Sequence, residues 1–168
     1  MIKANNNIGR CDLSPYGRPR RIFLSEPRGV YLAESIFYAI YDIVDEYPCV
    51  EVISPEFEDP TIKDIKSRIL GNRQIVCECK KGTALVEKIR ECYFVVSDDI
   101  KICRVAFEMQ KPTLITLCDL NVPLPPSARL VGNMRGPIYR GMSDLLGNPA
   151  LYYAMESVGK TVNMSYIP

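Results

Sequence analysis

Two adjacent carboxylates, Asp98 and Asp99, follow a short apolar run, Tyr93-Phe94-Val95-Val96, and a single serine, Ser97. A buried parallel strand needs apolar side chains on both faces, and open α/β sheets place their ligands at the carboxyl ends of such strands. Asp98 and Asp99 therefore stand where a site is expected. Carboxylates are also the chemistry left over by elimination. The chain contains no histidine, which excludes Ser-His-Asp and Cys-His catalysis and every His-ligated metal. No Gly-x-Gly-x-x-Gly follows the first strand, and neither a phosphate-binding Gly-x-x-x-x-Gly-Lys-Ser/Thr loop nor a Gly-x-Ser-x-Gly elbow occurs. Cys77-x-Cys79 has no second pair and is a weak metal signal. No cofactor and no metal are expected.

The second candidate cluster is the turn Ser25-Glu26-Pro27-Arg28-Gly29. It follows the strand pattern Arg21-Ile22-Phe23-Leu24-Ser25 and precedes a helix pattern at Leu32, Ile36, Ile40, Ile43, Val44 and Tyr47. Pro48 stops that helix, and residues 49–53 read as the next strand. Strand, short loop, helix, strand implies parallel pairing through a right-handed crossover. The turn then lies at the carboxyl edge beside a helix N-terminus, where backbone N–H groups suit an anion or a hydrogen-bonding ligand, and Arg28 adds charge. A plain connecting loop is the other reading of this turn.

The remaining elements must position these two clusters. Residues 54–60 are an acidic loop. Asp59 as N-cap and Pro60 at the first helical position start a helix with Ile62, Ile65 and Ile69 on one stripe, ended at Gly71-Asn72. Residues 74–79 read as a short strand, Thr83 caps a helix burying Leu85, Ile89 and Cys92, and residues 100–110 and 113–117 read as helix and strand. Residues 119–141, with four Pro and three Gly, read as a long basic loop carrying Arg129, Arg135 and Arg140. Asn148-Pro149 starts a last helix through Val158. The sum is an α/β fold: an open, mostly parallel four- or five-stranded sheet flanked by helices, a flavodoxin- or Rossmann-like three-layer sandwich.

At 168 residues one α/β domain, 21–168, is expected, preceded by an extended basic arm, 1–20. The arm reads as a docking segment for a partner subunit or a phosphate backbone, or as a solvated tail. Net charge is +1, so no global field recruits nucleic acid or membrane, and no apolar run approaches the roughly 20 residues of a bilayer span. The seven cysteines, with no apolar leader, read as reduced thiols in a cytoplasmic protein.

A series of motifs carries a family resemblance. In order they are Ile22-Phe23-Leu24-Ser25-Glu26-Pro27, the run from Ile89 to Asp98, Gln110-Lys111-Pro112-Thr113-Leu114-Ile115, and Gly147-Asn148-Pro149-Ala150-Leu151-Tyr152. Over residues 21 to 158 this order resembles the nucleoside 2-deoxyribosyltransferase family, with its related deoxynucleoside 5′-monophosphate N-glycosidases. The resemblance implies nucleoside or nucleotide binding and cleavage or transfer at the N-glycosidic bond. It implies a strand-end acid, Asp98, and a nucleophile on the following helix. Val105-Ala106-Phe107-Glu108 is similar to the family's nucleophile segment and nominates Glu108. Alignment by helix length puts Ile102 in that place and leaves Asp99, which opens the same helix, as the stand-in. Ser25, Glu26, Arg28 and Asn148 are the implied substrate contacts. An oxocarbenium-like transition state needs a close carboxylate and an acid for the leaving group, so these residue types suit the chemistry. The alternative is a non-catalytic relative, with the Asp pair as N-cap residues, acting as a homo-oligomer or as a subunit of a larger complex through the arm.

Overall fold

The computed structural model describes residues 20–48, 50–71 and 83–147. The N-terminal arm up to residue 19, Cys49, the candidate strand 74–79 with Cys77 and Cys79, Asn148 and the helix expected after it lie outside the described residues.

Five strands form one sheet: β1 (Arg21–Leu24), β2 (Glu51–Ile53), β3 (Phe94–Ser97), β4 (Thr113–Ile115) and β5 (Ala128–Leu130). Their order is β2-β1-β3-β4-β5, and every neighbouring pair is parallel. The helices are α1 (Val30–Glu46), α2 (Pro60–Leu70), α3 (Thr83–Glu91), α4 (Ile100–Glu108) and α5 (Arg135–Gly147). This is the α/β three-layer sandwich expected from the element order.

Alternation along the strands divides the core. Ile22, Leu24, Val52, Phe94, Val96 and Leu114 point to one face, where α1, α2 and α5 cover them with Ile36, Ile40, Ile62, Ile65, Ile138 and Met142. Phe23, Ile53 and Val95 point to the other, under Ile89 of α3 and Ala106 of α4. Ile115 joins Cys103 and Phe107 of α4 in a third cluster, sealed by Leu117, Leu120 and Leu124. A parallel β4–β5 connection ordinarily needs a crossover helix. Here the irregular, Pro-rich segment 116–127 serves instead, because its three leucines cover the same face a helix would.

The stretch 119–141 is therefore not one long loop. β5 and the first half of α5 lie inside it. Two features hid them. β5 has three residues and no fully buried side chain. Gly136 and Pro137 interrupt the start of α5, yet Pro is tolerated in a first turn because the N–H it lacks has no helical partner there. The legible signal was Ile138, Met142, Leu145 and Leu146, all buried at helical spacing.

Among the described residues, no helix is long and apolar enough to cross a membrane. Phe94, fully buried in the central strand, is expected on truncation to Ala to cost about 3–5 kcal/mol in urea unfolding. Tyr31→Ala, at a side chain that is 62% exposed, is expected to stay within about 0.5 kcal/mol of wild type in the same measurement.

Candidate functional site

In this strand order the chain leaves β1 toward one face of the sheet and β3 toward the other. The loops after these two strands diverge, and the carboxyl edge between them is the topological switch point where such sheets bind ligands. The β1 loop is Ser25–Gly29 and the β3 loop is Asp98-Asp99. Both predicted clusters therefore meet at one place.

They meet by bonding to each other. The Ser25 and Ser97 hydroxyls lie 2.6 Å apart and share a buried hydrogen bond. The Arg28 backbone N–H donates to Asp98 Oδ2 at 3.0 Å. The Arg28 guanidinium pairs with Asp99 Oδ2 at 3.4 Å. The two carboxylates have separate duties. Asp99 is the N-cap of α4, its Oδ1 accepting the Lys101 N–H at 2.9 Å, while Ser97 Oγ accepts the Asp99 N–H at 2.9 Å. Asp98 turns inward and is 5% exposed. Its Oδ1 is buried with no hydrogen-bond partner. Burial raises the Asp98 pKa above the ordinary carboxylate value, against lowering by the Arg28 N–H and guanidinium.

Beside these loops opens a cleft of about 920 Å³. Ser25, Glu26, Arg28 and Asp99 line it, with Glu56, Glu58 and Lys63 adding charge and Pro55, Phe57, Leu85 and Ile102 forming apolar wall. Glu26 Oε1 accepts the Glu58 N–H and so ties the β1 loop to the β2 loop. Lys63 pairs with Glu56 at 3.8 Å. The lining holds four carboxylates and two cations, an arrangement suited to hydroxyl donors over an apolar wall. Among the described residues, no group of three His, Cys, Asp or Glu side chains is placed to hold a metal ion.

The sequence-predicted residues thus divide. Ser25, Glu26, Arg28 and Asp99 line the cleft; Asp98 does not, although it braces the wall. Glu108 is exposed at the last position of α4, about 12 Å along the axis from the helix start that faces the site. Asn148 lies outside the described residues. Sequence reasoning missed Pro55, Phe57, Lys63 and Leu85 as lining residues. The signal for the first two was their place directly after a parallel strand; Lys63 and Leu85 arrive only through packing of α2 and α3.

No family model and no curated protein sequence matches the chain. Solved structures do. A putative UDP-N-acetylglucosamine 2-epimerase from Listeria monocytogenes superposes with a TM-score of 0.79 at 20% identity, over 93% of this chain and 45% of that one. The S. aureus MnaA structure with UDP gives 0.76 at 21%, over 86% and 42%. The Neisseria meningitidis UDP-GlcNAc 2-epimerase bound to UDP-GlcNAc gives 0.74 at 18%, over 98% and 44%. The chain spans less than half the length of these proteins. At such identities the likeness is one of fold.

These neighbours overturn the resemblance to nucleoside 2-deoxyribosyltransferases. The motifs that carried it were strand ends, small-residue turns and a helix-opening Asp. The physical reason they misled is that any parallel sheet of this order needs them: turns to reverse the chain, caps for uncapped N–H groups, apolar strands between helices. The nucleophile role attached to Glu108 falls with that family, and its position away from the cleft agrees.

The raised Asp98 pKa makes the stability of the fold depend on pH. Folding favours the protonated acid, so the stability it contributes is full at low pH and is lost as pH rises through the raised folded-state value. Asp98→Asn is expected to have a higher Tm than wild type at neutral pH. The difference should shrink to nothing as pH falls toward about 4, the ordinary carboxylate value, in paired calorimetric scans.

Proposed function

We propose that this chain is a nucleotide-sugar-binding α/β domain that holds its ligand in the cleft at the carboxyl edge of β1, β2 and β3. The observation that carries the reading is the shared fold: nearly the whole chain superposes on less than half of proteins whose structures hold UDP and UDP-GlcNAc. The cleft supports it independently. It sits at the switch point, its carboxylates suit ribose or hexose hydroxyls, its apolar wall suits a base or sugar face, and Arg28 suits a phosphate. Glycosidic cleavage is no part of this proposal.

A second reading, a non-catalytic subunit, is supported by one specific feature. The switch-point crevice is bridged by the protein's own bonds, from Arg28 to Asp98 and Asp99 and from Ser25 to Ser97, and both cleft cations are already ion-paired. Isothermal titration of the full chain with UDP and with UDP-GlcNAc separates the two. Binding tighter than about 1 mM, or about −4 kcal/mol, is expected, and Arg28→Ala should weaken it about tenfold through loss of one charge-assisted contact. No heat and no chemical-shift change at millimolar ligand would overturn the nucleotide-sugar reading and leave the subunit.

A further inference from the structure

We propose that the solvent-facing ridge of α1 is the docking surface for the chain's own basic arm, residues 1–19. The inference is independent of the nucleotide-sugar reading.

α1 buries Leu32, Ile36, Phe37, Ile40 and Ile43. Its opposite side carries Tyr31, Glu34, Tyr38, Asp42 and Asp45, spaced three, four, four and three positions apart, so these side chains share one ridge. Of the large apolar side chains exposed among the described residues, Val30, Tyr31 and Tyr38 all belong to this helix. Exposed apolar groups rimmed by charge mark interaction surfaces. The charge here has one sign. α1 carries Glu34, Asp42, Asp45 and Glu46 and no Lys or Arg. Asp45 and Glu46 fall in the last turn, where the helix dipole favours a cation and disfavours an acid.

One cation already shows what the ridge takes. Arg135, at the start of α5, donates to both oxygens of Asp42 at 2.8 Å and lies 5.0 Å over the Tyr38 ring. Glu34 and Asp45, on either side, have no ion pair among the described residues.

The occupant follows from charge and from connection. Residues 1–19 hold Lys3, Arg10 and Arg18 against the single acid Asp12. They also hold Pro15, Tyr16 and Pro19, rings of the kind that dock on rows of exposed aromatics. The arm joins the described fold at the acidic end of the ridge. The Arg20 carbonyl accepts the Glu51 N–H, and the Arg20 guanidinium donates to the Leu146 carbonyl in the last turn of α5. A Cβ placed on Gly147 would lie 3.0 Å from the hydroxyl of Tyr47, the C-cap of α1. The chain therefore enters beside the C-terminal end of α1, two residues beyond Asp45. From Asp45 the ridge runs about 21 Å to Tyr31, at 1.5 Å per residue. Arg18 and Arg10 span up to about 26 Å of extended chain, so one pass along the ridge brings the first to Asp45 and the second to Glu34.

The test follows the full chain by NMR, with two isotopic labelling patterns mixed so that contacts within a chain are told from contacts between chains. Wild type should show NOEs from residues 10–18 to the Tyr31 and Tyr38 rings within one chain, fading in about 1 M salt as charge is screened. Glu34→Lys with Asp45→Lys changes only surface side chains, and the second lysine suits the helix dipole. This pair should remove the NOEs and speed tryptic cleavage after Arg10 about tenfold, since cleavage follows the undocked population. Adding Arg10→Glu and Arg18→Glu to the pair should restore the NOEs. Absence of these NOEs in wild type at low salt, or their survival when the ridge charge is reversed, would sink the proposal. NOEs seen only between chains would assign the ridge to the arm of a second copy and overturn docking within one chain.

Discussion

Everything in this molecule depends on β1 and β3 lying side by side in the middle of a parallel sheet with no polar face. Ile22, Phe23 and Leu24 of β1 and Phe94, Val95 and Val96 of β3 are all buried. Each strand must be covered on both sides, and parallel strands can be joined only by crossovers. Helices are the usual cover, so α1, α2 and α5 occupy one side and α3 and α4 the other. Where no helix is available, between β4 and β5, Leu117, Leu120 and Leu124 of an irregular segment take that role. The requirement is apolar cover, and the secondary structure that supplies it is secondary.

Because the strand interiors are apolar, polar chemistry is displaced to the strand ends. There the chain must leave the sheet, and backbone groups need partners. Ser25, Ser97, Asp98 and Asp99 are the first polar residues after β1 or within and after β3, and they bond across the switch point, Ser25 to Ser97 and the two aspartates to Arg28. One of them carries the cost of this arrangement. Asp98 is desolvated, its Oδ1 is buried without a partner, and burial raises its pKa. A buried carboxyl group left half-satisfied is rarer than one fully bonded or fully solvated. Such tension is ordinarily found where a protein binds or reacts rather than where it merely folds.

The cleft beside this junction is a composite of three loops and two helices. Its mixed lining of carboxylates, two paired cations and apolar wall comes from residues scattered between Ser25 and Ile102. This chain covers less than half the length of the UDP-N-acetylglucosamine 2-epimerase structures whose fold it shares. Fold alone is compatible with many activities, so the weight of any functional reading falls on the cleft and on the junction that braces it.

Local physics determined the elements and their polarity from sequence. Apolar runs bounded by turn residues marked β1 and β3, Asp59-Pro60 marked the start of α2, and the strand-end position of Asp98 and Asp99 placed them at the carboxyl rim. These are contacts within a few residues, where side-chain spacing and capping act directly. β5 and α5 escaped notice because a three-residue edge strand has almost no pattern of its own, and Gly136-Pro137 masked the first turn of a helix. Only the tertiary structure decided what the rim residues do. The two neighbouring aspartates look alike in sequence, yet one caps α4 at the cleft and the other is buried beneath Arg28, 70 positions away along the chain. That difference comes from which loop packs over which strand end. Long-range packing of this kind leaves no trace in residue spacing, and the same generic strand-end motifs that marked the carboxyl rim therefore pointed to the wrong family.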